Sequence, residues 1–132
     1  MPDALDRGLK HIVVDPRCFV EAGMKNTEWL PIKPGADLPF CLGFLHTMMY
    51  DNAKDLDWEA IKYRTNAVYL IGSDGLYVRG ASGKPQVWDL ADGKAKEFDD
   101  ATVSDPAVEG SFKVGTATVK PGYAVVKDDI KG

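Results

Sequence analysis

Two apolar runs near the start of the chain each halt at a carboxylate beside a backbone-shaping residue. His11-Ile12-Val13-Val14 leads into Asp15-Pro16-Arg17, and Trp29-Leu30-Pro31-Ile32-Lys33 leads into Pro34-Gly35-Ala36-Asp37. The first run is β-branched and unalternated, the pattern of a strand buried on both faces of a parallel sheet. Pro16 stops it, because proline cannot donate to a strand ladder. Two such stops within one short α/β unit suggest a nucleotide-binding edge, since ligands of open α/β sheets lie beyond the carboxyl ends of the strands.

The rest of the chain extends this reading. Asp3 to Arg7 has the character of a helix's last turn with Gly8 as its C′ residue, so the start is expected to be cut from something longer. Lys10–Val14 is the expected first strand, 18–27 a connection with a helical turn, and Glu28–Ile32 a second extended segment. A helix follows over 38–50, packed on that sheet, with Asp37 as N-cap or first-turn acid. Its Phe40, Leu42, Phe44, Leu45, Met48 and Met49 are dense enough to bury most of its surface. Asp57-Trp58-Glu59-Ala60-Ile61-Lys62 reads as a short capped helix. Beyond Thr65-Asn66 the pattern turns to hairpins: Val68–Ile71 with Leu76–Arg79, Pro85–Asp89 with Ala95–Phe98, and Phe112–Val114 with Ala117–Val119. Pro121-Gly122 then opens a final helix from Tyr123. The expected fold class is α/β. A partial Rossmann-like parallel-sheet layer (1–64) precedes a hairpin-rich β segment (65–132) that ends in the start of a helix.

Composition narrows the function classes. The 132 residues carry a net charge of -4, which argues against nonspecific nucleic-acid binding. Glu97, Asp99, Asp100, Asp105 and Glu109 fall in a stretch without Lys or Arg, read as a solvated loop. Two cysteines are too few for a disulfide scaffold or a zinc site. Cys41 is expected to be a buried thiol and Cys18 a partly exposed one. His46 reads as a helix-face residue and not a ligand. No apolar run approaches the ~18 residues of a membrane span, and Met1-Pro2-Asp3 opens directly onto structure, with no leader expected. There is no Gly-x-Gly-x-x-Gly, no phosphate-binding P-loop, no cysteine cluster, and no histidine beside a nucleophile turn.

The two stops hold the candidate chemistry. Asp15 can accept hydrogen bonds from ribose hydroxyls and Arg17 can pair with phosphate; equally, Asp15 is a turn acid that caps the next segment and Arg17 a surface arginine. Pro34 and Gly35 turn the backbone so that Asp37 falls at a helix N-terminus. A carboxylate there caps backbone N–H groups. Alternatively it accepts two parallel bonds from guanine, whose ring N–H and exocyclic amine are adjacent donors, while repelling adenine's ring acceptor. Trp29 and Lys33 flank that position, and Lys33 can neutralise phosphate.

At these residues the sequence resembles the molybdopterin oxidoreductases of the dimethyl-sulfoxide-reductase family. Their large subunits carry a strand ending in Asp-Pro-Arg, then Trp-Leu-Pro-Ile-Arg-Pro-Gly-Thr-Asp, an apolar helix with a histidine, and an acidic-aromatic helix. The matching positions are Ile12 to Arg17, Trp29 to Asp37, Leu42 to Tyr50 and Leu56 to Arg64. Arg64-Thr65-Asn66-Ala67, Leu76-Tyr77-Val78-Arg79, Val87-Trp88-Asp89 and Asp105-Pro106-Ala107-Val108-Glu109-Gly110 resemble the segments that follow in one branch. Three departures stand out: Lys33 for the usual Arg, Ala36 for Thr, and Phe19 where Thr is common, the last two removing hydroxyls.

The resemblance implies a cofactor-binding piece of a larger enzyme, inactive in isolation. The parent would hold a molybdopterin guanine dinucleotide with molybdenum or tungsten. Asp15, Arg17, Lys33, Gly35 and Asp37 would lie at its guanosine end, with Asp37 reading guanine. The parent would also carry an iron–sulfur cluster, for which this chain has no ligands. Implied partners are the parent's remaining domains and an iron–sulfur electron-transfer subunit, in a bacterial or archaeal cytoplasm or periplasm. The residues alone leave two other readings open: a stand-alone nucleotide or small-ligand module, and a structural domain without a ligand.

Overall fold

The computed structural model describes residues 2–131 and has the mixed α/β character expected, with one parallel strand pair and several antiparallel ones. The chain divides into two compact units, Met1–Phe44 and Leu45–Gly132.

In the first unit, helix α1 (Pro2–Asp6) ends in a Schellman closure. The Gly8 N–H reaches the Leu5 carbonyl and the Leu9 N–H reaches Ala4, with Gly8 at φ 95°. Strand β1 (His11–Val14) then pairs in parallel with β2 (Thr27–Leu30), in the register His11↔Thr27 to Val14↔Leu30. The connection between them contains one tight helical turn, Val20–Gly23, whose Ala22 is buried. Helix α2 (Asp37–His46) follows and runs across the division between the units.

Two expectations fail here. The strands are not buried on both faces: His11, Val13, Thr27 and Trp29 are half-buried, whereas Ile12, Val14 and Leu30 are exposed on the opposite face. Nor does α2 bury its apolar surface, since none of its residues is buried and Leu38 is 68% exposed. Cys41, expected inside, is exposed with it. The physical reason is width. Strands lie about 4.8 Å apart, so a two-stranded sheet is narrower than a helix with its side chains, and the expected packing of α2 on it does not form.

In the second unit, Asp57 caps α3 (Trp58–Arg64) by accepting the Ala60 N–H at 2.9 Å, a contact of the kind that stabilises by about 1 kcal/mol. Strand β3 (Leu70–Ile71) leads into the first hairpin, which turns at Asp74-Gly75 and pairs Ile71 with Tyr77 as a single bridge. Strands β4 (Gln86–Asp89) and β5 (Lys94–Glu97) form the second hairpin. Strands β6 (Phe112–Val114) and β7 (Ala117–Pro121) form the third, and β7 also pairs with β3. Helix α4 (Gly122–Asp129) closes the unit. Its core is Leu70, Val87, Val119, Pro106 and Pro121, each almost fully buried. Trp88 stacks on Phe112 with centroids 4.7 Å apart, and Trp58 meets Tyr123 edge-on.

The acidic stretch is not simply solvated. Lys84 pairs with Asp99, Lys62 with Asp105, and Lys127 with Glu109, while Ser82 donates to Glu97 and Thr102 to Asp100. Each acid meets a lysine or hydroxyl, most of them distant in sequence, which charge counting within a window cannot reveal.

Candidate functional site

Because β1 and β2 run in parallel, their carboxyl ends lie on one edge of the pair, and both sequence stops begin there. Asp15 is the first residue beyond β1. Its N–H still reaches the Leu30 carbonyl at 3.3 Å, and its own carbonyl accepts the Trp29 indole N–H at 2.8 Å. One carboxylate oxygen, Oδ1, accepts the Arg17 N–H at 2.7 Å. Asp15 therefore serves as a turn acid, and its second oxygen is left without a partner among the described residues. Arg17 is exposed and forms no ion pair among them.

The second stop is built around a tight turn. The Ala36 N–H bonds the Lys33 carbonyl at 2.9 Å, with Pro34 and Gly35 at the corners and Gly35 at φ 81°. This is the residue pattern of a type II turn, in which the third position needs positive φ. A Cβ at Gly35 would meet nothing within 4 Å, so glycine is required there for its backbone angle and not for space. The Phe40 N–H goes to the Ala36 carbonyl at 3.0 Å. Ala36 thus occupies the cap position and Asp37 the first helical turn, where its charge complements the helix dipole. The Asp37 carboxylate is exposed and accepts no hydrogen bond from the described residues, and Lys33 is likewise exposed and unpaired among them.

Among the described residues, the edge thus presents two unpaired cations, one unpaired carboxylate and one half-used carboxylate, all in the first unit. That donor set fits a ligand with an anionic portion and a base or sugar rich in donors. Sequence reasoning placed Trp29 as a flank. The structure gives it a further task, fastening the Asp15 turn. Among the described residues no group of three or more His, Cys, Asp or Glu is placed to hold a metal ion, and no helix is long and apolar enough to cross a membrane.

The second unit holds a carboxylate that the sequence reading missed. Asp89 is fully buried, and Lys96 Nζ donates to it at 2.8 Å. The N–H groups of Ala91, Ser104 and Asp105 also point at its two oxygens. The Lys96 ammonium, followed by these N–H donors, outweighs the cost of burial and holds the carboxyl down at about 2. Lys96 also pairs with Asp92 and donates to the Thr102 carbonyl. A signal existed: Asp89 alternates with Val87 onto the buried face of β4, and Lys96 is Val87's register partner. This is a structural hub, with every donor drawn from the protein itself.

The structure is thus an α/β chain with an exposed set of charged groups beyond two parallel strand ends. No protein-family model matches the chain. Over 51 residues, or 39% of its length, it is 33% identical to a trimethylamine-N-oxide reductase of Haemophilus influenzae. The match spans only 6% of that reductase's length.

Proposed function

We propose that the chain is a piece of a molybdopterin oxidoreductase large subunit, and that its first unit helps hold the guanosine end of a molybdopterin guanine dinucleotide. One observation carries the reading: Asp15-Pro16-Arg17 and Lys33-Pro34-Gly35-Ala36-Asp37 both leave the same carboxyl edge of a parallel strand pair, with their charged groups unengaged by other side chains among the described residues. The partial likeness to a reductase supports it, and the small share of that protein covered supports reading the chain as part of something larger.

In this reading Asp37 accepts from the guanine ring N–H and exocyclic amine. Lys33 and Arg17 neutralise phosphate, and the free oxygen of Asp15 accepts a ribose hydroxyl. Gly35 sets the turn that leads from Lys33 into the first helical turn at Asp37. When bound, the cofactor supplies redox chemistry at molybdenum or tungsten. The residues of this chain bind and orient its nucleotide end, remote from that metal. The iron–sulfur cluster, the metal ligand and the electron-transfer partner belong to the parent outside this sequence. The 1–64 portion is the holding part and 65–132 its β extension.

The test is an amide-shift titration of the whole chain with GDP and, separately, ADP. We expect weak binding that prefers GDP and moves the signals of Arg17, Lys33 and Asp37. Equal response to ADP, or GDP shifts confined to other residues, would reject the guanosine reading.

A further inference from the structure

A cleft of about 500 Å³ opens in the second unit between the end of α3 and the loop that follows β5. This is the size range of small-molecule sites. Its floor is apolar and buried, made by Val68, Val87 and Pro106. Tyr69 and Phe98 line it with ring centroids 5.3 Å apart. Two bonds fasten α3 to the far side: the Tyr63 hydroxyl donates to the Ser104 carbonyl at 2.7 Å, and Lys62 Nζ to Asp105 at 2.6 Å. The walls are therefore held before any ligand arrives, which lowers the ordering cost of binding.

Of the four charged residues that line the cleft, two are ion-paired among the described residues, Asp100 is held by neutral donors, and Arg64 is the one cation left without a partner. Lys62 is matched by Asp105 and Asp99 by Lys84. Asp100 Oδ1 accepts both the N–H and the hydroxyl of Thr102, each at 2.8 Å. Asn66 donates to the Tyr77 hydroxyl. Arg64 lines the cleft, is exposed, and makes no ion pair among the described residues. A free guanidinium beside aromatic rings favours a flat anion, because it binds carboxylate or phosphate in a fork while the rings take the planar face.

The geometry points to this cleft as a binding site for a planar aromatic ring carrying one carboxylate or phosphate, with the ring against Tyr69 and Phe98 and the anion on Arg64. It lies wholly in the second unit and is independent of the nucleotide edge proposed above.

The experiment is an amide-shift titration of the full chain with sodium benzoate, AMP, benzamidine and inorganic phosphate. Benzoate or AMP is expected to move residues 64–69 and 98–100; benzoate alone identifies a carboxylate site, AMP alone a phosphate site. Arg64→Gln is expected to weaken the effective anion about tenfold, which is ~1.4 kcal/mol. Phe98→Ala should weaken it as well, and both side chains are exposed enough to be changed without unfolding the chain. The inference is overturned by any of four results: neither aromatic anion moves these residues, benzamidine binds as well, phosphate alone binds as well, or Arg64→Gln binds normally.

Discussion

The Trp29 indole donates its N–H to the backbone carbonyl of Asp15 across 2.8 Å. The two residues belong to neighbouring segments of a parallel pair, with Val13↔Trp29 in register, so the bond ties the exit of β1 to the body of β2. Trp29→Phe keeps the ring and deletes the donor. The chain should lose about 0.5–1.5 kcal/mol in urea unfolding, the usual net worth of one hydrogen bond, and the Arg17 amide should exchange faster. Unchanged exchange at Arg17 would show that the turn holds without the indole.

Gly35 offers a clean backbone test. At φ 81°, with nothing near a hypothetical Cβ, Gly35→Ala should cost about 1–2 kcal/mol from conformation alone. The check is equilibrium unfolding of the variant beside Gly43→Ala. Gly43 lies inside α2 and has equal space, so there the same change should stabilise by roughly 0.5–1 kcal/mol.

Asp37→Asn separates binding from capping. Facing guanine, the amide would turn one accepted bond into two donors meeting, so GDP affinity should fall at least about tenfold, or ~1.4 kcal/mol. The stability of the free chain should hardly change, because the Phe40 N–H is taken by Ala36 and not by the Asp37 side chain. Undiminished GDP binding in the variant would leave Asp37 with only its place in the first helical turn.

Asp89 gives the chain a directional response to acid. Its carboxyl titrates near 2 in the folded chain, below the ordinary carboxylate value of about 3.9. Its contribution is therefore complete above the ordinary value and is lost as pH falls toward 2. Asp100, held down by the Thr102 donors, and Asp128, held down by Lys120, act in the same direction. Thermal melts from pH 6 to pH 2 should show stability falling on acidification, and Asp89→Asn should flatten that fall.

Leu70 is fully buried where β3 meets β7. Leu70→Ala should cost about 2–5 kcal/mol. Leu42→Ala, on the exposed surface of α2, should stay within about 0.5 kcal/mol. A large effect at Leu42 would mean that α2 is covered in solution.

What the sequence disclosed follows from the range of the forces involved. Local rules placed Gly8 at the end of α1, a short capped helix from Asp57, and the turns of the hairpins, because each depends on a few adjacent residues. The parallel pairing of β1 with β2 was also legible in Ile12-Val13-Val14. Burial was not. The apolar density of α2 states that the helix favours cover, but not whether a covering layer lies in this chain. The ion pairs of Asp99, Asp105 and Glu109 join segments far apart in sequence, and the Asp89 hub draws on strand β5 and two loop segments. Pattern reading over a short window sees none of these. At the carboxyl edge of β1 and β2 the candidate residues were readable by type, whereas the engagement of Asp15 Oδ1 and the exposure of Asp37 became visible only in the structure.

The strand order β3-β7-β6 places the last of the three to be made in the middle. During synthesis, Leu70 and Phe112 are made before Pro121 and Val119, the residues they pair with. Closing β3 onto β7 spans a long loop, an entropic cost that must be met before the pairing stabilises anything. A nascent chain that has emerged only as far as Thr116 would hold two strand edges with no shared neighbour, the state most open to wrong pairing with other chains. The vulnerable interval of this unit's birth is thus set by one late strand, and protease resistance should first appear when β7 has cleared the ribosome.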